Sequence, residues 1–183
     1  MIVIDDFFPD FQKVRDFAET CQLVDGVGPD GHPYYNMGML TDTLTRQVIY
    51  GARKAIGRAF MPFAAIRVSP EGVKAAYKAH TDSFMTADKS MVCYVNLAEH
   101  CQGGTSFLRY KDGTERSKGK NEEAHWWNDR NNQDAWEKIE TVEMKPNRAI
   151  FFDSDRIHQS EPVGGFGSNR HDSRAVIIAF FKQ

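Results

Sequence analysis

Apolar and polar residues follow two different rhythms along this chain, and the change falls near residue 60. Residues 2–8 (IVIDDFF) predict a short strand. Pro9 and Asp10 then open a helix whose apolar positions Phe11, Val14, Phe17, Ala18 and Cys21 recur at helical spacing and which ends near the Gly26 to Gly31 turn cluster. A second helix starts at a Thr41-Asp42 cap and sets Leu44, Val48, Ile49, Ala52, Ala55, Ile56, Ala59 and Phe60 on one side, until Pro62 stops it. Beyond it, short runs rich in β-branched and aromatic residues take over: Ala64 to Val68, Met91 to Leu97, Thr105 to Tyr110, Ala149 to Phe152 and Ala175 to Phe181, each bounded by turn formers. They predict a strand-rich body behind a helical N-terminus, without the alternating strand and helix of a parallel α/β sheet.

Residues 111–140 break this rhythm, holding six basic and eight acidic side chains together with all three tryptophans, Trp126, Trp127 and Trp136. The segment reads as an insertion between strands, with a helix possible over Asn128 to Glu140. Its tryptophans either pin a solvated excursion to the body or form a lid over substrate.

Composition narrows the partners. The chain has 183 residues and a net charge of −2, which provides no basic footprint for nucleic acid or an anionic membrane. The acidic start MIVIDDFFPD and the lack of any apolar run long enough to span a bilayer predict a protein without a membrane segment. Three scattered cysteines (Cys21, Cys93, Cys101) are too few for a disulfide framework, so a reducing, cytoplasmic setting is expected.

Candidate chemistry lies in the strand-rich half. His80 and Asp82 are one residue apart, so an extended backbone places both side chains on the same face. His158 follows an apolar strand and a turn, from which it could reach the same point. Two histidines and one carboxylate leave three coordination positions open, an arrangement suited to non-haem Fe(II). Arg174 heads the apolar run RAVIIAFF, where a buried guanidinium calls for an anion, and Tyr94 in MVCYVNL could add a hydroxyl donor to the same carboxylate. The other histidines, His32, His125 and His171, read as surface residues. His100 and Cys101, as chain neighbours, point apart and make no thiol-imidazole pair, and the Gly164 to Gly167 run (GGFG) reads as a turn.

The order His-x-Asp, Gly103-Gly104-Thr105-x-Phe107, a strand leading to His158, then Arg174 resembles the Fe(II)/2-oxoglutarate-dependent oxygenase superfamily, in particular its prolyl-hydroxylase-like branch, over roughly residues 64–182. The resemblance implies a double-stranded β-helix (jelly roll, cupin-like) forming one domain over residues 1–183. Residues 1–62 would be its helical support, packed on the outside of the larger sheet, and residues 63–183 its core, with 111–140 inserted. It implies Fe(II) held by His80, Asp82 and His158, and 2-oxoglutarate bound by Arg174 and Tyr94, with Tyr77 just before the ligands in YKAHTD. It also implies dioxygen as co-reactant and hydroxylation of a peptidyl or small-molecule C–H bond, with release of succinate and CO2. Two departures are visible: the His158 to Arg174 spacing is long, leaving Arg170 as a rival for the carboxylate, and the 111–140 segment has no counterpart in a minimal member. Phe180 stands where nucleic-acid demethylases carry a second arginine, and Asp82 is retained where halogenases lose the carboxylate. The alternative from another class is a non-catalytic jelly-roll module that binds a ligand or a protein.

Overall fold

The computed structural model describes residues 1–28, 31–73, 78–83 and 86–183. Among the described residues, ten strands and two α-helices follow in the order β1 (Ile2–Ile4), α1 (Phe11–Thr20), β2 (Val24–Val27), β3 (Pro33–Met39), α2 (Asp42–Ile56), β4 (Phe60–Ser69), β5 (Lys89–Tyr94), β6 (Gly104–Tyr110), β7 (Trp136–Glu143), β8 (Ala149–Asp153), β9 (His158–Glu161) and β10 (Arg174–Lys182). The strands form a large antiparallel sheet, β1-β8-β5-β10-β4-β3-β2, and a small one, β7-β6-β9.

Period-two alternation gives the large sheet two different faces. Ile66 and Val68 of β4, Cys93 of β5, Phe151 of β8 and Ile177 and Phe181 of β10 meet Val14, Ala18, Leu44, Val48 and Ala52 of the two helices in one buried cluster. The helices thus cover the outer face, as the apolar stripe of each predicts. Intervening residues point the other way. Ile150 and Phe152 join Phe107 and Val142 of the small sheet, while Phe63, Ala65, Arg67, Arg174, Val176, Ile178 and Phe180 line a cavity.

Four sequence expectations change. Helix α1, capped by the Asp10 side chain, ends at Thr20, and the region read as a turn cluster carries β2 and β3, which extend the large sheet. Helix α2, capped by Thr41, is ended by Gly57 at φ 79°, a conformation that favours glycine, rather than by Pro62. Pro62 instead lies inside β4, where the register with β10 shifts between Phe180 and Lys182, so the missing N–H falls at an irregularity. The predicted helix over Asn128 to Glu140 is not formed: short 3-10 turns at Trp127–Asp129 and Gln133–Ala135 lead into β7, which pairs with β6 from Tyr110↔Trp136 to Gly104↔Glu143. An exposed, charged segment has little helix stability of its own, and pairing with the edge of β6 decides its structure.

The tryptophan segment packs into the body of the protein. Trp126 is fully buried and packs with Tyr110, Ala135, Ile157 and Ala79 in a second cluster flanked by Trp127 and Trp136. None of residues 111–140 lines the cavity among the described residues. Ala79 and Ile157 directly precede His80 and His158, so this cluster lies beneath two candidate ligands. Trp126→Ala is expected to destabilise the protein by about 3–5 kcal/mol, the usual cost of a large buried aromatic, read as a lowered midpoint in denaturant with the slope unchanged.

Candidate active site

His80 and His158 come from separate stretches of chain that pair as an isolated antiparallel bridge, each backbone N–H donating to the other's carbonyl (3.1 and 2.9 Å). The two imidazole centroids are 4.3 Å apart. Asp82 turns back toward both, with one carboxylate oxygen 3.9 Å from His80 Nε2 and the other 3.5 Å from His158 Nε2. All three donor atoms lie within 4.8 Å of one another.

Each imidazole is oriented from behind. His80 Nδ1 bonds the Lys78 carbonyl (3.0 Å) and His158 Nδ1 bonds the Arg156 carbonyl (2.9 Å). A carbonyl only accepts, so Nδ1 carries the proton and Nε2 presents its lone pair to the shared point. Removal from water, reinforced by the neighbouring His158, lowers the pKa of His80 to about 4, so that it stands neutral at physiological pH. Phe152 sets its ring edge-on to His158 at 4.8 Å. Two imidazoles that present Nε2 and one carboxylate, all facing a cavity, fit a divalent ion that must keep coordination positions free.

The cavity, of about 340 Å³, runs from these side chains between the sheets toward the β2–β3 edge. Arg174, 5% exposed, is on its wall and donates to the Gly104 carbonyl (3.3 Å), while its buried Nε has no partner among the described residues. Burial lowers its pKa to about 10, which still leaves it a cation at neutral pH. Asn96, fully buried, fixes the backbone on both sides of it: its amide donates to the Ser173 carbonyl (2.8 Å) and accepts from the Ala175 N–H (2.7 Å).

Arg170, the rival arginine, has another role. Its guanidinium donates to the carbonyls of Ala18 and Cys21 at the end of α1 (2.7 and 2.6 Å) and does not line the cavity. Tyr94 is fully buried and donates its hydroxyl to Thr105 Oγ1 (2.9 Å) and toward the Val142 carbonyl (3.3 Å). Of this pair it is Thr105 that lines the cavity, with Tyr94 behind it. Tyr77 lies outside the described residues.

The Gly-Gly step before Thr105 has a steric reason. Gly104 has φ 154°, and a Cβ there would lie 2.0 Å from the Val142 carbonyl oxygen, so only glycine lets β6 start this close to β7. Sequence reading named Thr105 only as part of the Gly-Gly-Thr-x-Phe order, without a role, and passed over Arg67. Arg67 sits on β4 opposite Val176, and its signal was a lone charge at an inward position of an otherwise apolar strand.

A family model described as the 2OG-Fe(II) oxygenase superfamily matches residues 64–182. No individually curated protein matches the sequence. Among solved structures, the chain is similar to SnoN, a non-haem α-ketoglutarate-dependent epimerase from nogalamycin biosynthesis (TM-score 0.62, 11% identity, covering 100% of this chain and 78% of that one). It is also similar to EctD from S. alaskensis with bound Fe (0.55, 15%, 99% and 72%) and to a Pseudomonas putida prolyl-4-hydroxylase (0.50, 15%, 100% and 91%). At such identities these likenesses establish the jelly-roll fold alone, and none of the described helices is long and apolar enough to cross a membrane. With a family match over most of its length, a jelly-roll fold and a His-Asp-His cluster at the head of its cavity, the chain belongs to the 2OG-Fe(II) oxygenase superfamily.

Proposed function

We propose that this chain is an Fe(II)- and 2-oxoglutarate-dependent hydroxylase that adds one oxygen atom to a C–H bond of a small-molecule or peptidyl substrate, with release of succinate and CO2. The observation that supports this reading best is the placement of Arg174 on the wall of the same cavity into which His80, Asp82 and His158 converge. The family implies both iron and 2-oxoglutarate. His80, Asp82 and His158 would hold the metal, and Arg174 the far carboxylate of the cosubstrate, aided by Thr105. Tyr94 would set the Thr105 hydroxyl from behind. The whole chain then acts as one catalytic unit, with residues 1–62 bracing the outer face of the large sheet.

When bound, iron and 2-oxoglutarate would activate dioxygen, the oxidant, one atom of which goes to the substrate and the other to succinate, and the protein supplies binding, orientation and exclusion of water. The two Nδ1–H bonds to backbone carbonyls keep both Nε2 atoms available as donors. Arg174, held by Asn96 and the Gly104 carbonyl, gives a carboxylate one fixed orientation along the cavity. Val176, Ile178, Phe63 and Phe180 form an apolar wall that leaves little for water to bond to and offers a surface for the body of the substrate.

The test is turnover under isotopically labelled dioxygen with Fe(II), 2-oxoglutarate and a library of metabolites and peptides. The expected outcome is succinate formed in step with 2-oxoglutarate loss, stimulated by a substrate that gains one labelled oxygen atom. A stimulated substrate altered without gaining oxygen would overturn hydroxylation. Iron-loaded protein that consumes no 2-oxoglutarate with any library member would support the non-catalytic binding module instead.

A further inference from the structure

The stretch that carries His80 and Asp82 belongs to no continuous strand, so its backbone donors must find partners one by one. They do. The N–H of Lys78 donates to Asn131 Oδ1 (3.3 Å), and that of Thr81 to Asn121 Oδ1 (3.0 Å). The N–H of Ala79 donates to the Arg130 carbonyl (3.1 Å), that of His80 to the His158 carbonyl (3.1 Å) and that of Asp82 to the Ser154 carbonyl (2.8 Å). Three of these five partners come from the tryptophan segment, residues 111–140.

Asn121 does most at one point. Besides accepting from the Thr81 N–H, its Oδ1 accepts from the Thr81 hydroxyl (3.0 Å), and its amide nitrogen donates to the Thr81 carbonyl (2.9 Å). Both residues are buried, Asn121 at 3% and Thr81 at 1% exposure, so water does not compete for these bonds. Thr81 is the residue between the two ligands. Gripping it at N–H, carbonyl and hydroxyl fixes the peptide units on either side, and with them the directions in which His80 and Asp82 leave the backbone.

We propose that Asn121 is a positioning residue for the metal site: it holds Thr81 so that His80 and Asp82 are set at ligating separation before any ion arrives. The 111–140 segment is accordingly a brace under the ligands, anchored by Trp126 and its neighbours. The inference rests on the assignment of His80, Asp82 and His158 as the metal ligands. Among the described residues, the hydrogen bonds of the Asn121 side chain all go to Thr81, and Asn121 does not line the cavity, so its effect passes through Thr81.

Co(II) serves as a spectroscopic probe in titrations of the full chain, comparing wild type with Asp82→Ala, Asn121→Ala and Leu44→Ala. Leu44 lies in the cluster between the helices and the large sheet, so its truncation lowers stability without touching Thr81. The expected result is stoichiometric binding by wild type and Leu44→Ala, loss in Asp82→Ala, and affinity weakened about 10- to 100-fold in Asn121→Ala, the range seen when outer partners of a metal site are removed. Wild-type affinity in Asn121→Ala, or an equal loss in Leu44→Ala, overturns the positioning role. Failure of wild type to bind, or unchanged binding in Asp82→Ala, overturns the ligand assignment instead. If Asn121→Ala does not fold, Thr81→Val, which removes the hydroxyl arm together with that hydroxyl's bond to Ser83 Oγ (2.9 Å), is expected to weaken Co(II) several-fold, and unchanged affinity there overturns the proposal.

Discussion

Asp82→Ala is expected to abolish stoichiometric binding of a divalent metal while leaving the protein folded. Asp82 supplies the only carboxylate among the three converging donors, and without it two imidazoles must hold the ion alone. Because loss of an outer partner alone costs about 10- to 100-fold in metal affinity, loss of a direct ligand exceeds that. His80→Ala and His158→Ala are expected to do the same. The fold survives because the backbone around these residues is held by its own bonds: His80 and His158 pair through main-chain atoms, and the Asp82 N–H bonds the Ser154 carbonyl, contacts that alanine keeps. Metal content after desalting reads the first effect. The second is read by thermal unfolding, where added Mn(II) should raise the midpoint of wild type and not of the variants, since a ligand stabilises only the state that binds it. Full metal occupancy in any one variant would remove that residue from the site.

Arg174→Met is expected to change two properties in opposite directions. Removing one side of a buried charge-assisted pair costs roughly 2–5 kcal/mol, so 2-oxoglutarate affinity should fall by about 30-fold to several thousand-fold, with metal affinity little changed. In the protein without cosubstrate, however, Arg174 is a buried cation whose Nε has no partner among the described residues, a costly arrangement. Methionine of similar reach relieves that cost, so thermal stability should hold or rise. Arg170→Ala is the contrasting control: it removes two bonds to carbonyls at the end of α1, about 1 kcal/mol of stability, and should leave 2-oxoglutarate affinity intact. Equilibrium binding of 2-oxoglutarate to the metal-loaded variants decides the matter, and a large loss confined to Arg170→Ala would reassign the cosubstrate site.

Strands whose residues are buried on both faces were legible because they are nearly continuous apolar runs; β4, β8 and β10 stand where the β-branched and aromatic runs predict them, and β5 overlaps its run but begins at Lys89 and ends at Tyr94 rather than Leu97. The helices were legible for the complementary reason, one apolar stripe on a polar cylinder. Strands β2, β3 and β7 were not, because they lie toward sheet edges, where glycine, proline, asparagine and charge are tolerated and neighbouring strands impose the extended form. Among site residues, the order of His80, Asp82, His158 and Arg174 survived folding as a single locus. The grip of Asn121 on Thr81, across 40 residues of sequence, leaves no periodic trace. A lone buried amide is visible only once the backbone it serves has been placed.

The β2–β3 hairpin gives the molecule a division of labour. It supplies Val24, Val27, Tyr34, Met37 and Met39 to the outer part of the cavity, yet β2 pairs only with β3, and β3 meets β4 over just Met37 to Met39. Val27 and Met39 remain 75% and 70% exposed, so the cavity's mouth lies along this rim. The groups proposed to handle metal and cosubstrate sit on other parts of the chain, and the bonds named above for them run to residues outside the hairpin. Selection can therefore rewrite the rim, residue by residue, to admit new molecules while the oxidising centre behind it stays as it is. Substrate range in proteins of this design is expected to drift faster than reaction chemistry.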